Sequence, residues 1–187
     1  MYPGKRAFDV ALALVGLIVL SPAILVCAVL VLLTSPGPIV YAGERIGRFE
    51  RPFRQFKFRT MFVGADRAGF QTAEADTRIT SAGRLLRKTS LDELPQLVNV
   101  LRGEMSIVGP RPAAPAGLRL YQDADRRERA TVRPGITGLA QVSGRSALVV
   151  DEAVKRDLEY VRTASLGLDL EIIKRTFAVV TRRSGSN

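Results

Sequence analysis

From Val10 to Leu33 the chain runs 24 residues without a charged side chain, and Ser21-Pro22 stands at the middle of that run. About 20 consecutive apolar residues suffice for one helix to cross a bilayer. A secretory signal is excluded, because its apolar region covers only about 7–15 residues and this run is longer and carries a central proline. Proline removes a backbone hydrogen bond and breaks or kinks the helix. It leaves about 12 residues on each side, or about 18 Å per half at ~1.5 Å per residue, short of the ~30 Å hydrocarbon core. The Ser21 hydroxyl can serve a carbonyl freed by the break. Both flanks are basic: Lys5 and Arg6 precede the run, and Arg45, Arg48, Arg51, Arg54, Lys57 and Arg59 follow it. The positive-inside bias therefore holds both ends on the cytoplasmic side. The residues alone leave two topologies open, a spanning helix that tolerates its proline and a helix that enters, breaks and returns.

Composition narrows the chemistry. The 28 Lys and Arg against 18 Asp and Glu give a formal charge of +10, which calls for an anionic partner such as a membrane surface, a phosphorylated substrate or nucleic acid. No histidine is present, so His-based acid–base catalysis, a Ser-His-Asp triad and any His-ligated metal are excluded. The single cysteine, Cys27, cannot form an internal disulfide and lies inside the apolar run, where it is expected to pack. Catalysis must use carboxylates, Lys, Arg and hydroxyls, with or without a hard, oxygen-loving metal ion.

The chain after the run is expected to form one domain, an α+β and mainly helical unit of residues 39–187 following the membrane segment and flanks of residues 1–38. Thr34 to Pro38 is a turn-rich exit. Residues 39–62 suit one or two short strands near the headgroups, and 64–80 a surface loop. A helix is expected from Ser81, with Leu85 and Leu86 on an apolar face. Leu94, Leu97, Val98 and Leu101 keep the i, i+3, i+4, i+7 spacing of an amphipathic helix that Gly103 stops. Met105–Val108 suits a buried strand, 113–131 a helix with a basic face, 133–145 a loop, and 151–180 helix broken at Gly167.

Four motifs carry polar chemistry. In Ser90-Leu91-Asp92-Glu93-Leu94-Pro95, either Ser90 and Glu93 form a capping box or Asp92 is the N-cap. Both readings set Asp92 at a helix N-terminus, where the ionised form is favoured. A carboxylate there can attack phosphorus or hold Mg²⁺; it can also be no more than a helix start. Lys57 and Arg59 share one face of a strand, as a phosphate clamp or as a headgroup-facing basic strand. Gly109-Pro110-Arg111-Pro112 restricts the backbone around one arginine. The glycines of Arg133–Arg145 allow close backbone approach to a ligand, without matching a P-loop or dinucleotide fingerprint.

In order and spacing these pieces resemble the monotopic phosphoglycosyl transferases, bacterial sugar transferases that initiate glycan assembly. The resemblance runs from Lys5 to about Val180 and rests most on Lys57–Met61, Ser90–Leu97, Met105–Pro112 and Arg133–Arg145, with Asp157, Tyr160, Ser165-Leu166 and Asp169 beyond. It departs from many members at Ala42–Arg45, where they carry glutamine, and the chain is expected to be a minimal catalytic unit without further N-terminal membrane helices. The resemblance implies a re-entrant helix broken at Ser21 and Pro22, with the catalytic domain on the cytoplasmic face of the bacterial inner membrane. Asp92 would attack the β-phosphate of a UDP-sugar, expel UMP and hold the sugar phosphate until polyprenyl (undecaprenyl) phosphate takes it up. Glu93 would be the second acid of a dyad, and Mg²⁺ would bridge Asp92 and the diphosphate. Lys57, Arg59, Arg87, Arg111, Arg145 and Asp157 would serve the substrate. Membrane lipids and both substrates are the expected partners. Nucleic acid is not, because Tyr and Phe do not interleave with the basic positions as stacking platforms would. A non-catalytic membrane scaffold is the other alternative. The sugar, the glycan pathway and the oligomeric state, a homodimer included, are left open.

Overall fold

The computed structural model describes residues 1–65, 76–144 and 150–181. The apolar run divides where its proline predicts. Helix α1 covers Lys5–Val19 and α2 covers Ser21–Thr34, bent by 64° across Leu20. Pro22 lies in the first turn of α2, where its missing N–H is no loss. The Ser21 hydroxyl donates to the Ile18 carbonyl at 2.8 Å, serving a carbonyl at the end of α1. At ~1.5 Å per residue, 15 and 14 residues give helices of about 22 and 21 Å. Among the described residues no single helix is long and apolar enough to cross a membrane.

The two helices bury different amounts. Helix α1 buries Lys5, Asp9 and Ala13 against α4 (Gln96–Arg102) and β3 (Ser106–Val108). Gly16 permits this approach, since a Cβ there would stand 3.3 Å from Leu97 Cδ1. Helix α2 buries only Cys27 and Val31, while Leu25, Val26, Leu32 and Leu33 are exposed. So wide an apolar surface is unusual on a soluble monomer.

The remainder is α+β and mainly helical, as expected. Strands β1 (Val40–Ile46) and β2 (Pro52–Phe58) form an antiparallel hairpin that sets Tyr41 opposite Lys57. Strand β3 pairs in parallel with β4 (Gly135–Thr137). The other helices are α3 (Ser81–Thr89), α5 (Asp123–Arg129), α6 (Leu139–Ser143), α7 (Val150–Thr163) and α8 (Leu166–Thr181). One core gathers Ala13, Val100, Met105, Val108, Tyr160 and Ile172; a second joins Cys27, Val31, Phe58 and Leu86. Cys27 thus packs as expected. Asn99 stitches β2 to α4, accepting from the Phe56 N–H at 2.9 Å and donating to the Arg54 carbonyl at 2.8 Å.

Several local expectations are corrected. The capping box does not form. Ser90 instead ends α3 in the left-handed region (φ 58°), Leu91–Glu93 is a 3₁₀ turn, and Pro95 leads into α4. Thr80 is the side chain that caps α3, accepting from the Gly83 N–H at 2.9 Å. Leu86 shares the buried face with Ala82, whereas Leu85 faces outward. Residues 113–131 are not one helix. Pro115 starts a 3₁₀ segment to Leu120, and α5 begins only after extended Tyr121 and Gln122. The segment 133–145 holds β4 and α6, and the C-terminal break falls at Ala164-Ser165, leaving Gly167 inside α8.

The start of α1 is fixed by buried ionic contacts that periodicity does not reveal. Lys5 Nζ lies 2.8 Å from both Asp9 Oδ1 and Asp169 Oδ2. Tyr2 donates to Asp169 Oδ2 at 2.7 Å, and the Tyr160 hydroxyl lies 2.8 Å from Asp169 Oδ1. Burial, then Asp169, pushes both phenols far above their ordinary range. Mutual pairing is what makes such charges tolerable inside a fold.

Candidate active site

The 3₁₀ turn Leu91–Glu93 sits over the second core, with Leu91 and Leu94 packed against it. Left-handed Ser90 turns the chain sharply enough to bring Asp92 under the end of β2. Lys57, the penultimate residue of that strand, reaches across. Its ammonium lies 2.6 Å from Glu93 Oε1 and 4.0 Å from Asp92 Oδ2. Arg111 extends from the Gly109–Pro112 loop to within 3.6 Å of Glu93 Oε1, its side chain 57% exposed. Arg87, in the last turn of α3, donates from Nε to Thr60 Oγ1 at 2.9 Å and adds a positive field at Asp92. Lys57, Arg87, Asp92, Glu93 and Arg111, nominated separately along the sequence, are therefore brought together.

The two acids differ. Glu93 is held by Lys57 and approached by Arg111. Asp92 is 9% exposed, and Lys57 approaches it only at the longer distance of 4.0 Å. Burial pushes its carboxyl up to about 6; Lys57 opposes this, Glu93 adds to it, and Arg87 and Arg111 oppose it. A helix-start location predicts the reverse direction. Desolvation wins because the turn leaves this side chain little water. The result is a buried carboxylate, ionised at neutral pH, bordered by three cations and flanked by an acid already occupied.

Three nominated residues stand elsewhere or outside the description. Arg59 lies just past β2 and turns to the exit of α2, donating to the Ser35 carbonyl at 2.5 Å, with its guanidinium buried beside Gly37. It closes the C-terminal end of the helix, where a cation is favoured. Asp157 is also buried and pairs with Arg129 Nε at 2.7 Å; burial raises its carboxyl and Arg129 opposes the rise. Arg129 in turn donates to the Arg111 carbonyl, and the Arg111 charge also favours the ionised Asp157, so Asp157 borders the site through Arg129 and Arg111. Arg145 lies outside the described residues. Sequence reasoning missed Arg129, which sits in no distinctive motif, and Thr60, which lies inside the Lys57–Met61 run but carries no charge to single it out. Two glycines of the 133–145 segment pack on backbone: a Cβ at Gly135 would collide with the Gly109 nitrogen, and one at Gly138 with the Gly109 carbonyl. They hold the loop that carries Arg111.

Among the described residues no three acids, cysteines or histidines cluster as a metal cage. Mg²⁺ in phosphate chemistry needs less, usually one or two carboxylates with water and substrate phosphate oxygens. The hard oxygens of Asp92, next to a phosphate-suited set of arginines, fit that pattern.

Comparison with known proteins bears on what this cluster does. The family model described as bacterial sugar transferase matches residues 2–183. The chain is 45% identical to the undecaprenyl-phosphate glucose phosphotransferase of Komagataeibacter xylinus, over 90% of this chain and 34% of that protein. It is 42% identical to the exopolysaccharide production protein ExoY of Sinorhizobium fredii, over 97% of this chain and 87% of that one. It is also 42% identical to the UDP-glucose:undecaprenyl-phosphate glucose-1-phosphate transferase of Escherichia coli, over 90% of this chain and 38% of that enzyme. The chain thus spans about a third of the first and last of these relatives and most of ExoY.

Proposed function

Because the chain belongs to the bacterial sugar transferase family, we propose that it moves a sugar 1-phosphate from a UDP-sugar to polyprenyl phosphate, by way of a covalent intermediate on Asp92. The observation that carries this reading is the division of labour in the dyad. Asp92 is buried, ionised at neutral pH and bordered by Lys57, Arg87 and Arg111, while the Glu93 carboxylate is tied to Lys57. Relatives named for transfer of sugar phosphates to undecaprenyl phosphate support the substrate class.

In the first step an Asp92 oxygen attacks the β-phosphorus of the UDP-sugar. The bond from that phosphorus to the bridging oxygen breaks, and UMP departs with the electron pair. The sugar phosphate is then held as an acyl phosphate. In the second step an oxygen of polyprenyl phosphate attacks the same phosphorus and the acyl–phosphate bond breaks. The product is a polyprenyl diphosphate sugar, and Asp92 is free again. Such transfers depend on placing the reactants and neutralising charge more than on proton transfer, which suits a histidine-free site. Arg87 and Arg111 hold phosphoryl oxygens, and Lys57 keeps Asp92 ionised while fixing Glu93. When bound at Asp92, Mg²⁺ would supply neutralisation of the diphosphate charge.

The same reading places α1 and α2 in the cytoplasmic leaflet of the inner membrane as a re-entrant pair, with residues 39–187 as the catalytic unit on that face. The 64° bend, two helices each shorter than a bilayer core, their exposed apolar faces and basic residues at both flanks support it. A site beside the returning helix lets a soluble nucleotide sugar and a lipid phosphate meet. The test is UMP formation by protein in lipid nanodiscs, supplied with UDP-glucose, undecaprenyl phosphate and Mg²⁺. Turnover that needs all three and is lost in Asp92→Asn supports the proposal; full turnover by Asp92→Asn overturns it.

A further inference from the structure

A cavity of about 230 Å³ opens at the foot of α1, lined by Tyr2, Lys5, Arg6, Arg48, Ser106 and Arg133, with Asp9 at its wall. It lies at the opposite end of α4 from Asp92. Arg6 donates to the carbonyls of Val100 and Leu101, and Arg133 to that of Gly103, at the C-terminus of that helix. The seven residues of α4 alone separate the two ends by about 10 Å. None of Lys57, Arg87, Asp92, Glu93 and Arg111 lines this cavity.

Its charges do not balance internally. Asp9 is already satisfied: Oδ1 receives Lys5 Nζ at 2.8 Å and the Ile107 N–H at 3.1 Å, and Oδ2 lies 2.8 Å from Ser106 Oγ. Lys5 is neutralised by Asp9 and Asp169. Among the described residues the three arginines have only uncharged partners. Arg6 and Arg133 meet the carbonyls just named, and Arg48 donates to the Thr131 carbonyl at 2.9 Å and stacks on the Phe49 ring at 4.4 Å. Among the described residues none of the three has a carboxylate in ion-pair range.

Arg48 is also held in place at some conformational expense. It stands at the tip of the β1–β2 hairpin, before two consecutive non-glycine residues in the left-handed region, Phe49 (φ 56°) and Glu50 (φ 59°). The Phe49 N–H donates to the Ala130 carbonyl at 2.7 Å, and Glu50 pairs with Arg126 at 2.6 Å. Backbone of this kind persists where the surroundings over-determine it, and it concentrates at functional positions.

We infer that this cavity is a second anion site, one that takes a phosphate group through the guanidinium groups of Arg48 and Arg133. Guanidinium matches phosphate oxygens in pairs, and three arginines without acidic partners supply the charge. The volume lies below the ~300–1,000 Å³ typical of pockets enclosing drug-sized ligands, which suits a phosphodiester headgroup or free phosphate rather than a nucleotide sugar. The inference does not depend on the reaction at Asp92, and each can fail without the other.

The test uses the full chain in phosphatidylcholine nanodiscs, with and without phosphatidylglycerol, and in a third arm with added inorganic phosphate. Hydrogen exchange of residues 1–9 and 131–133 reports on the cavity, and native mass spectrometry reports lipid retained by the released protein. Slowed exchange there with phosphatidylglycerol, and its selective retention, assigns a lipid headgroup. The same protection from inorganic phosphate alone assigns the free anion. In either case Arg48→Gln/Arg133→Gln should weaken binding at least tenfold with the circular dichroism spectrum unchanged. If that variant fails to fold, the site of protection in the unmodified chain decides. No protection of these segments in any arm, protection confined to other segments, or undiminished binding by the folded variant overturns the inference.

Discussion

Replacing Lys57 with methionine should displace the pH profile of the reaction toward higher pH. Lys57 Nζ lies 4.0 Å from Asp92 Oδ2, and both side chains are largely buried, at 19% and 12% exposure. At an effective dielectric constant of about 20, unit charges at this separation interact by roughly 4 kcal/mol. Arg87 and Arg111 remain and absorb part of the loss. A net loss of about 2.7 kcal/mol corresponds to a rise of about two pKa units. Burial already holds Asp92 at about 6, against the attraction of Lys57, so removing the lysine moves it further up. At pH 7 the ionised fraction then drops from about nine-tenths to about one-tenth. The apparent value belongs to the Asp92–Glu93 pair, since Glu93 loses its 2.6 Å partner in the same variant. UMP release at limiting UDP-sugar reports kcat/KM, which follows ionisation in the free enzyme. The variant is expected to lose about tenfold at pH 7 and to regain most of it near pH 9. A loss of equal size at every pH, or no loss at pH 7, refutes the reasoning.

Asp92→Asn should stabilise the fold while abolishing turnover. Raising the carboxyl from 3.8 to about 6 makes its ionised form cost on the order of 3 kcal/mol in the folded state. That cost is present above pH 6 and is relieved as pH falls, so thermal unfolding should favour the variant at pH 8, and the advantage should vanish near pH 4. Asp169→Asn removes the acid that joins Lys5, Tyr2 and Tyr160. A loss of about 3 kcal/mol or more is expected, seen as a melting temperature lower by roughly 10 °C; an unchanged value would show that the network holds nothing. Pro22→Ala should straighten the helix pair, and cysteine-accessibility labelling before α1 and after α2, with Cys27 replaced by alanine, should show one flank leaving the cytoplasmic side. Identical labelling in both proteins would separate the bend from the topology.

Much of the fold was legible because it rests on local rules. A proline at the centre of an uncharged run broke the helix where sterics require, and Leu97 and Leu101 kept their apolar spacing into the core. What could not be read locally depended on burial. Ser90 and Glu93 have capping-box spacing, yet tertiary packing made Ser90 the end of α3 and moved the side-chain cap to Thr80. The cluster at Asp92 was legible as a set of residue types, but not its desolvation, which reverses the shift that a helix terminus alone would give. Arg59 was nominated by alternation from Lys57, and the strand ended one residue before it. Asp157 was nominated through the resemblance, and its pairing could not be read because Arg129 belongs to no motif and is brought near only by the packing of α5 on α7.

The central claim is that the Asp92 carboxylate carries the sugar phosphate. Protein in nanodiscs, mixed with UDP-sugar and Mg²⁺ and given no polyprenyl phosphate, can be quenched, digested and measured by mass spectrometry. The expected result is a sugar-phosphate adduct on the peptide containing Asp92, with a burst of about one UMP per chain, and loss of the adduct once polyprenyl phosphate is added. UMP that forms only after the lipid acceptor is added, with the Asp92 peptide unmodified throughout, would contradict the account.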